Sequence, residues 1–474
     1  MTKFSKFLNE EENFLKRWIE YCKNMPMLKY AVEILKKIES KKYRAYIVGG
    51  CVRDIVLGKK PKDIDIATNC PVEILEDLFK VYDIGKSRDF GIVTTNLGGF
   101  SYEIAQFRQD GNYTDGRRPE SVEICQSFKQ DASRRDFCLN AMAIDSKGNI
   151  IDYFDGQRDI KNKIIRAVGN PHDRFEEDRL RMLRAIRFSS RLGFDIEKET
   201  AAAIKFNKEK IKSLAPERIR DELVKMASSS GDKFADAILK MDELGILEII
   251  LPEVVKMKDF EQNIDHHPEG NVFDHVIAAL KANKIADPLL NLSILLHDIG
   301  KITTYKFDKE KGHTFYGHAE AGKELIDIIA KRLRLSNKEK EALIFVAVNH
   351  MKLHKATEMK PSKLIKIITD ENWELLKAAT YCDKAARGKL FDKKRWDEIL
   401  SYIDDIKNKW GNSVTNNAIK LIDGNKVMKL TGLKPGKKVG YIIKHVTKKI
   451  LDYGITNEKD IEKEIMSAYQ DVLL

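Results

Sequence analysis

Asp63 and Asp65 stand two residues apart in Asp63-Ile64-Asp65-Ile66, thirteen residues after Gly50 of the pair Gly49-Gly50. In an extended segment that spacing turns both carboxylates to one side and buries Ile64 and Ile66 on the other. Two adjacent carboxylates repel each other unless cations neutralise them, and their hard oxygens suit Mg²⁺ shared with substrate phosphates. Glu103, in Tyr102-Glu103-Ile104, is a third acid that completes such a cluster. Upstream, Ile47-Val48-Gly49-Gly50-Cys51-Val52-Arg53-Asp54 reads as a strand turning through two glycines into a helix. That turn lets backbone N–H groups approach a triphosphate. The chemistry these parts suit is metal-assisted transfer of a phosphate-bearing group. An Asp-x-Asp pair alone also fits the solvent face of an edge strand; the Gly-Gly turn and Arg53-Asp54 ahead of it favour the metal reading.

Two further groups carry chemistry. Glu177 to Phe188 reads as one helix with Leu180, Leu183 and Ile186 on an apolar stripe, so Asp178 and Arg181, three apart, share a face. A carboxylate and a guanidinium fork held there can hydrogen-bond the Watson–Crick edge of a base, and the same spacing also makes an ordinary surface ion pair. Farther on come Asp274-His275, His297-Asp298, His313, His318, His350 and Asp383. His297-Asp298 closes an apolar helix running from Leu289 to Leu296, ended by Gly300. An adjacent His and Asp at the mouth of a buried helix can ligate one metal. Such donors suit Mn²⁺, Ni²⁺, Fe²⁺ or Mg²⁺.

The elements that must position these residues change character along the chain. Residues 1–42 read as helical, with Phe14, Trp18 and Tyr21, then Leu28, Val32, Leu35 and Ile38, at helical spacing. Residues 43–155 are broken into short β-like runs around Tyr46, Ile64, Ile92, Glu103 and Val122, with one helix from Pro71 to Phe79 capped by Thr68 or Asn69. From Asp155 the pattern is helical to the last residue, with breaks at Pro171, Pro216, Pro252, Pro268 and Pro435. The lysines of the last 70 residues, interleaved with Ile, Val and Leu, fit a solvated amphipathic face. The loops at Asp423-Gly424 and Gly432 to Gly440 fit either a phosphate cradle or a plain helix–helix connection.

The chain has 474 residues, 43% of them hydrophobic and 33% charged, enough apolar material for about three packed domains. Lys and Arg exceed Asp and Glu by 84 to 73, a net charge of +11 that suits a polyanionic partner. No apolar run reaches the roughly 20 residues that cross a bilayer. No leader-like apolar stretch opens the chain. The six cysteines are scattered without CxxC spacing, which argues against disulfides and a thiolate zinc site and for a reducing cytoplasm.

Taken together, Gly49-Gly50-x-Val52-Arg53-Asp54 with Asp63-x-Asp65 resembles the first motif of the polymerase β-type nucleotidyltransferase superfamily, and within it that of class II tRNA nucleotidyltransferases (CCA-adding enzymes) and bacterial poly(A) polymerases. Gly85-Lys86-x5-Ile92-Val93 looks like the next strand pair, and Arg134-Arg135-Asp136-Phe137-x-x-Asn140-Ala141 looks like the second motif, a sugar and phosphate contact. Asp152-x5-Arg158-Asp159 resembles the hinge to the neck; Glu177-Asp178-x-x-Arg181 resembles an amino-acid template for CTP and ATP; Glu217 to Leu223 resembles a structural motif of the neck. The loop Arg108 to Pro119, present at full length, is similar to the one that complete CCA-adders carry. His275, His297, Asp298 and Asp383 resemble the primary ligands of HD-superfamily phosphohydrolases, with His318 and His350 like the extra histidines of two-metal members.

The resemblance implies an α+β protein: a polymerase β-like head of mixed sheet and helices, then an all-α neck, body, HD domain and tail. The expected divisions are an N-terminal helical extension at 1–26, head at 27–155, neck at 156–226, body helices at 227–270, HD domain at 271–390 and tail at 391–474. Asp63, Asp65 and Glu103 are implied as catalytic, with Mg²⁺ on the aspartates. Gly49, Gly50, Arg53, Arg108, Arg135, Asp136, Asn140, Asp178, Arg181, Arg184 and Arg187 are implied at the nucleotide, Arg184 and Arg187 on phosphate or on neighbouring acids. A divalent metal is implied on the HD ligands. The implied function is CCA addition to tRNA from CTP and ATP in the cytoplasm, without a membrane. A poly(A) polymerase or A-adding enzyme, and an HD phosphohydrolase with an RNA-binding head, are the alternatives.

Overall fold

The computed structural model describes residues 3–82, 88, 90–111, 122–265, 267–408, 422–455 and 457–473. Most of the loop from Arg108 to Pro119, and Gly85-Lys86, lie outside them. The chain divides into two compact units, Met1–Met226 with Asp236–Ile250, and Ala227–Ala235 with Leu251–Leu474.

The first unit holds a seven-stranded mixed sheet. Its strands are β1 (Ala45–Val48), β2 (Asp65–Thr68), β3 (Val81–Tyr82), β4 (Ile92–Leu97) and β5 (Phe100–Gln106), then β8 (Ala143–Ile144) and β9 (Ile150–Ile151), in the order β3-β4-β5-β2-β1-β8-β9. Strands β6 (Arg108–Asp110) and β7 (Val122–Ile124) pair separately. The inward residues Ile47, Ile66, Tyr102 and Ile104 are at most 1% exposed, the period-2 burial that the apolar alternation demands. β1 runs antiparallel to β2 with Val48 opposite Asp65, and β2 runs parallel to β5 with Asp65 opposite Glu103. This register sets the residue before the Gly-Gly turn, Asp65 and Glu103 side by side on three adjacent strands.

Helix Pro26–Ser40 buries Leu28, Val32, Leu35 and Ile38, the stripe expected from spacing. Thr68 and Asn69 do not cap the following helix, Val72–Leu78, which Pro71 precedes without a side-chain cap. Thr68 Oγ1 instead donates to the Arg44 carbonyl and accepts from the Cys70 N–H, and Asn69 Oδ1 accepts from the Arg44 N–H. Both side chains are spent tying the end of β2 to the start of β1.

Beyond Asp155 the chain is not helical throughout. Ile164–Ile165 pairs in parallel with Asp195–Ile196, and Lys306–Asp308 forms a hairpin with Gly312–Thr314. These strands are two and three residues long, too short for an alternation to register in sequence. In the second unit, helices Val272–Ala282, Pro288–Leu296, His318–Arg332, Asn337–His354 and Trp373–Ala386 form the histidine-bearing bundle. Ser336 and Glu339 make a reciprocal capping box that starts Asn337–His354. Near the C-terminus, Gly424–Thr431, Lys437–Tyr453 and Glu458–Leu473 pack around Val427, Ile442, Val446, Ile461 and Ile465. Lys434, Lys437, Lys438, Lys444 and Lys448 are exposed, as a solvated face requires. Asp423 caps the first of these helices through the Lys426 N–H, and Gly436 directly precedes the second. All six cysteines are free thiols, and among the described residues no helix is long and apolar enough to cross a membrane.

Candidate active site

The end of the sheet forms the first site. Gly49 has φ +82°, and a Cβ there would lie 3.2 Å from an Arg135 guanidinium nitrogen and 3.8 Å from Asp65 Oδ2. Only glycine combines that backbone with so close an approach. Asp63 falls just before β2 rather than within it, since pairing with β1 starts at the Val48–Asp65 partners. Asp63, Asp65 and Glu103 are nevertheless all exposed, with Ile64 buried between the aspartates. Desolvation first, then the charges of Asp63 and Glu103, push Asp65 up to about 6 against the pull of Arg135. Among the described residues these acids do not form one of the three-ligand groups that close around an ion, all of which lie in the second unit. Their donor chemistry fits a hard divalent cation whose remaining ligands come from substrate phosphates.

A polar chain backs this end. Arg53 Nη1 donates to Asn140 Oδ1 at 2.8 Å, Asn140 Nδ2 donates to Asp136 Oδ1 at 3.1 Å, and Arg184 Nε donates to Asp136 Oδ2 at 2.9 Å. Burial alone would raise Asp136, but Arg184 and Asn140 hold it down to about 2. Arg53 also bonds Asp54 through Nε, at 2.9 Å. Arg53, Arg184 and Arg187 gather over the Phe188 ring at 5.3, 5.4 and 4.3 Å. Asp131, 1% exposed, receives Arg134 and Arg135, and it also accepts the Arg108 N–H. Arg135 thus joins the second-motif segment to the Gly-Gly turn. Arg184 and Arg187 are engaged with acids, Asp136 and Glu222.

The segment from Glu177 to Phe188 differs from the expected single helix. Pro171–Glu177 ends before Asp178, which has φ −139° and ψ 103°, and a new helix runs Leu180–Leu192. Asp178, at the C-terminal end of the first helix in extended backbone, accepts the Leu180 N–H at 3.1 Å through its carboxylate, and Arg179 stands at the cap position of the second. Asp178 and Arg181 therefore do not form an i,i+3 pair on one helix. Asp178 is paired with Arg218, from helix Pro216–Ala227, at 3.1 Å. Arg181 Nη1 donates to Glu177 at 2.7 Å and Nη2 to the Arg134 carbonyl at 2.7 Å. Both side chains are held firmly by neighbours within the first unit. In the sequence Arg218 stands only within the stretch Glu217 to Leu223, and its contact with Asp178 comes from the fold.

The second site lies wholly in the second unit. His275, His297, Asp298 and Asp383, on three different segments, are all buried and meet: His275 Nε2 lies 3.0 Å from Asp383 Oδ1, and His297 Nε2 lies 3.3 Å from Asp298 Oδ2. His318 and His350 each approach Asp298 Oδ1 at 3.4 Å. Nδ1 of His297, His318 and His350 faces the carbonyls of Ile294, Phe315 and Ala347 at 2.8–2.9 Å. That arrangement places the proton on Nδ1 and leaves Nε2 as a lone pair. These three Nε2 atoms and Asp298 Oδ1 are buried without a hydrogen-bond partner. Three orphaned imidazole nitrogens converging on one carboxylate, whose Oδ1 is orphaned too, fit a bound divalent cation. His275–His297–Asp298 and Asp298–His318–His350 each bring three ligand atoms within 4.8 Å of one another, with Asp298 common to both.

Sequence reading missed the supporting residues. Glu269 receives both His267 and His275, and His354 Nε2 lies 3.1 Å from Asp383 Oδ2. Lys301 holds Asp298 Oδ2 at 2.7 Å and Gln262 Oε1 at 2.7 Å. His350 and His354, four apart on one helix, were the available signal; His267 and Glu269 sit in a loop without period. His313 bonds Tyr305 and is not a ligand.

A family model described as the poly A polymerase head domain matches residues 45–166, one described as the probable RNA and SrmB-binding site of polymerase A matches 193–257, and an HD domain model matches 272–379. The CCA-adding enzyme of Ligilactobacillus salivarius is 41% identical over 297 residues, 56% of this chain and 73% of that protein. The CCA-adding enzyme of Lactobacillus johnsonii is 43% identical over 242 residues, 51% of this chain and 59% of that protein. The matched region spans 49 to 59% of the length of the first curated relatives. The fold is shared with the Bacillus stearothermophilus CCA-adding enzyme solved with CTP, at TM-score 0.71 and 24% identity over 94% of this chain and 98% of that one. It is also shared with a Thermotoga maritima CCA-adding enzyme complexed with tRNA, at TM-score 0.57 and 22% identity over 94% and 96%.

Proposed function

We propose, from the premise that this chain belongs to the CCA-adding enzyme family, that it adds C, C and A to the 3′ end of tRNA from CTP and ATP without a nucleic-acid template. The observation that carries this reading is the register that sets Val48, Asp65 and Glu103 side by side, with Gly49-Gly50 and Arg135 against them. Asp63 and Asp65, with Glu103 beside them, are the residues to hold Mg²⁺. Bound there, magnesium supplies charge neutralisation and Lewis acidity to a nucleotidyl transfer. The Gly49-Gly50 turn, Arg53, Arg135 and Arg108 hold the triphosphate, while Asp136 and Asn140 orient Arg53 and Arg184. Asp178 accepts from, and Arg181 donates to, the edge of the incoming base. Arg187 and Arg184 set the neck on which that pair stands. We assign the head to 27–155, the neck to 156–226, the body to 227–270, the HD domain to 271–390 and the tail to 391–474, and we place the protein in the cytoplasm.

The discriminating experiment supplies tRNA lacking its last three nucleotides with CTP alone. Two cytidines are the expected addition, with pyrophosphate released. A poly(A) polymerase leaves that acceptor unextended, and so does a head that only binds RNA.

The HD centre supports a separate metal-dependent phosphohydrolase activity, with Mn²⁺, Ni²⁺, Fe²⁺ or Mg²⁺ on His275, His297, Asp298 and Asp383. Asp298→Asn is expected to lower Mn²⁺ uptake, measured by metal analysis after dialysis, and to leave the rate of CTP addition within about twofold of wild type.

A further inference from the structure

We propose that Asp131 is a positioning residue of the triphosphate site: it grips one edge of the Arg135 guanidinium and so aims the other at the Gly49-Gly50 turn. This rests on the reading of the head as a nucleotidyltransferase and adds to it a residue that does not itself touch the substrate.

Asp131 lies on the short helix Phe128–Ser133, and Arg134 and Arg135 follow it by three and four residues. Both side chains therefore fold back over the last turn of that helix. The two oxygens of the buried carboxylate have different partners. Oδ1 accepts Arg134 Nη2 at 2.7 Å and Nε at 3.0 Å, and the Arg108 N–H at 3.4 Å. Arg134 Nε also donates to the Arg108 carbonyl at 3.1 Å, which ties this oxygen to the start of β6. Oδ2 accepts Arg135 Nη2 at 3.0 Å and Nε at 3.3 Å.

A planar guanidinium held along its Nε–Nη2 edge carries its remaining nitrogen on the far side. Arg135 Nη1 lies 3.2 Å from the point a Cβ would occupy on Gly49, and Asp65 Oδ2 lies 3.8 Å from that same point. A phosphate resting on the Gly-Gly turn meets this nitrogen first. Two arginines on one carboxylate also leave a positive charge in excess, which suits a polyanion. Burial alone would raise Asp131, but Arg135 and Arg134 hold it below its ordinary range, so the grip persists at neutral pH. Arg135 is close enough to Asp65 to pull that carboxyl down. Released from Asp131, it has a competing acid to turn to.

The test measures binding of CTP, pyrophosphate and cytidine to the full chain by calorimetry with Mg²⁺ present. Wild type is compared with Asp131→Asn, Arg135→Ala and the double variant. Asp131→Asn is expected to weaken CTP and pyrophosphate about tenfold and cytidine less than about twofold. Because Asp131 acts through Arg135, the same substitution is expected to change CTP affinity less than about twofold in the Arg135→Ala background. Asp131→Glu keeps the charge and shifts the carboxylate by one methylene, so it serves where the Asn variant fails to fold. It is expected to weaken CTP about threefold with an unchanged melting temperature. CTP affinity equal in wild type and both Asp131 variants overturns the proposal alone. So do equal losses for CTP and cytidine, or a loss that persists undiminished in the Arg135→Ala background, since each makes Asp131 a merely structural residue. Wild type that binds CTP no better than cytidine overturns the nucleotidyltransferase reading as well.

Discussion

Asp65→Asn is expected to lower nucleotide addition on the order of 10³-fold while leaving the fold at least as stable as wild type. The separation follows from the position of the residue. Asp65 lies opposite both Val48 and Glu103 in the sheet, and desolvation with the charges of Asp63 and Glu103 lifts it to about 6. A carboxyl raised above its ordinary value is ionised at a cost to the folded state above that value, so the neutral amide removes a repulsion at pH 7.5. Exposure to water keeps the gain small. The measurement pairs single-turnover addition with a thermal melt. Loss of activity accompanied by a fall in melting temperature contradicts the assignment, because it makes Asp65 a structural residue.

The second large effect is the reverse case. Asp136→Ala is expected to destabilise the head by about 3–5 kcal/mol, since it strands the Arg184 guanidinium beside a buried site and unhooks Asn140. Asp136 is 8% exposed and is held at about 2, below its ordinary range. Its stabilising effect is therefore complete above the unfolded-chain value near 4 and is lost as pH falls from there through about 2. In Asp136→Asn the dependence of the melting temperature on pH is expected to flatten between about pH 4 and 2. An Asp136→Ala protein that melts with wild type would show that the chain Arg53–Asn140–Asp136–Arg184 does not hold the neck helix to the head.

Much of the site was legible from residue type and short spacing. Asp63, Asp65 and the Gly-Gly turn could be read because a strand has period two and a tight turn calls for glycine. Glu103 followed only as a candidate, since nothing local says that β5 lies beside β2. The bundle histidines were legible as a set because His297-Asp298 closes a strongly apolar helix and His275, His318, His350 and Asp383 fall in the same helical stretch. The break at Asp178 was not read, although an Asp two residues before Leu180 is a plausible cap, because the apolar stripe of Leu180, Leu183 and Ile186 suggested a longer helix. Arg218, forty residues on, meets Asp178 only through the packing of the neck. His267 and Glu269 come from a loop and Lys301 from a four-residue helix, where no period marks them.

In the function proposed above, protein side chains rather than a template strand choose the incoming base. Its most direct measurement compares Asp178→Ala with wild type on a tRNA ending after the first two cytidines, offering ATP, CTP, GTP and UTP singly and recording single-turnover rates beside tRNA affinity by gel shift. The preference for ATP is expected to fall at least about tenfold while tRNA binding holds within about twofold. Unchanged selectivity, or an equal loss of rate with all four nucleotides together with tRNA affinity, contradicts it.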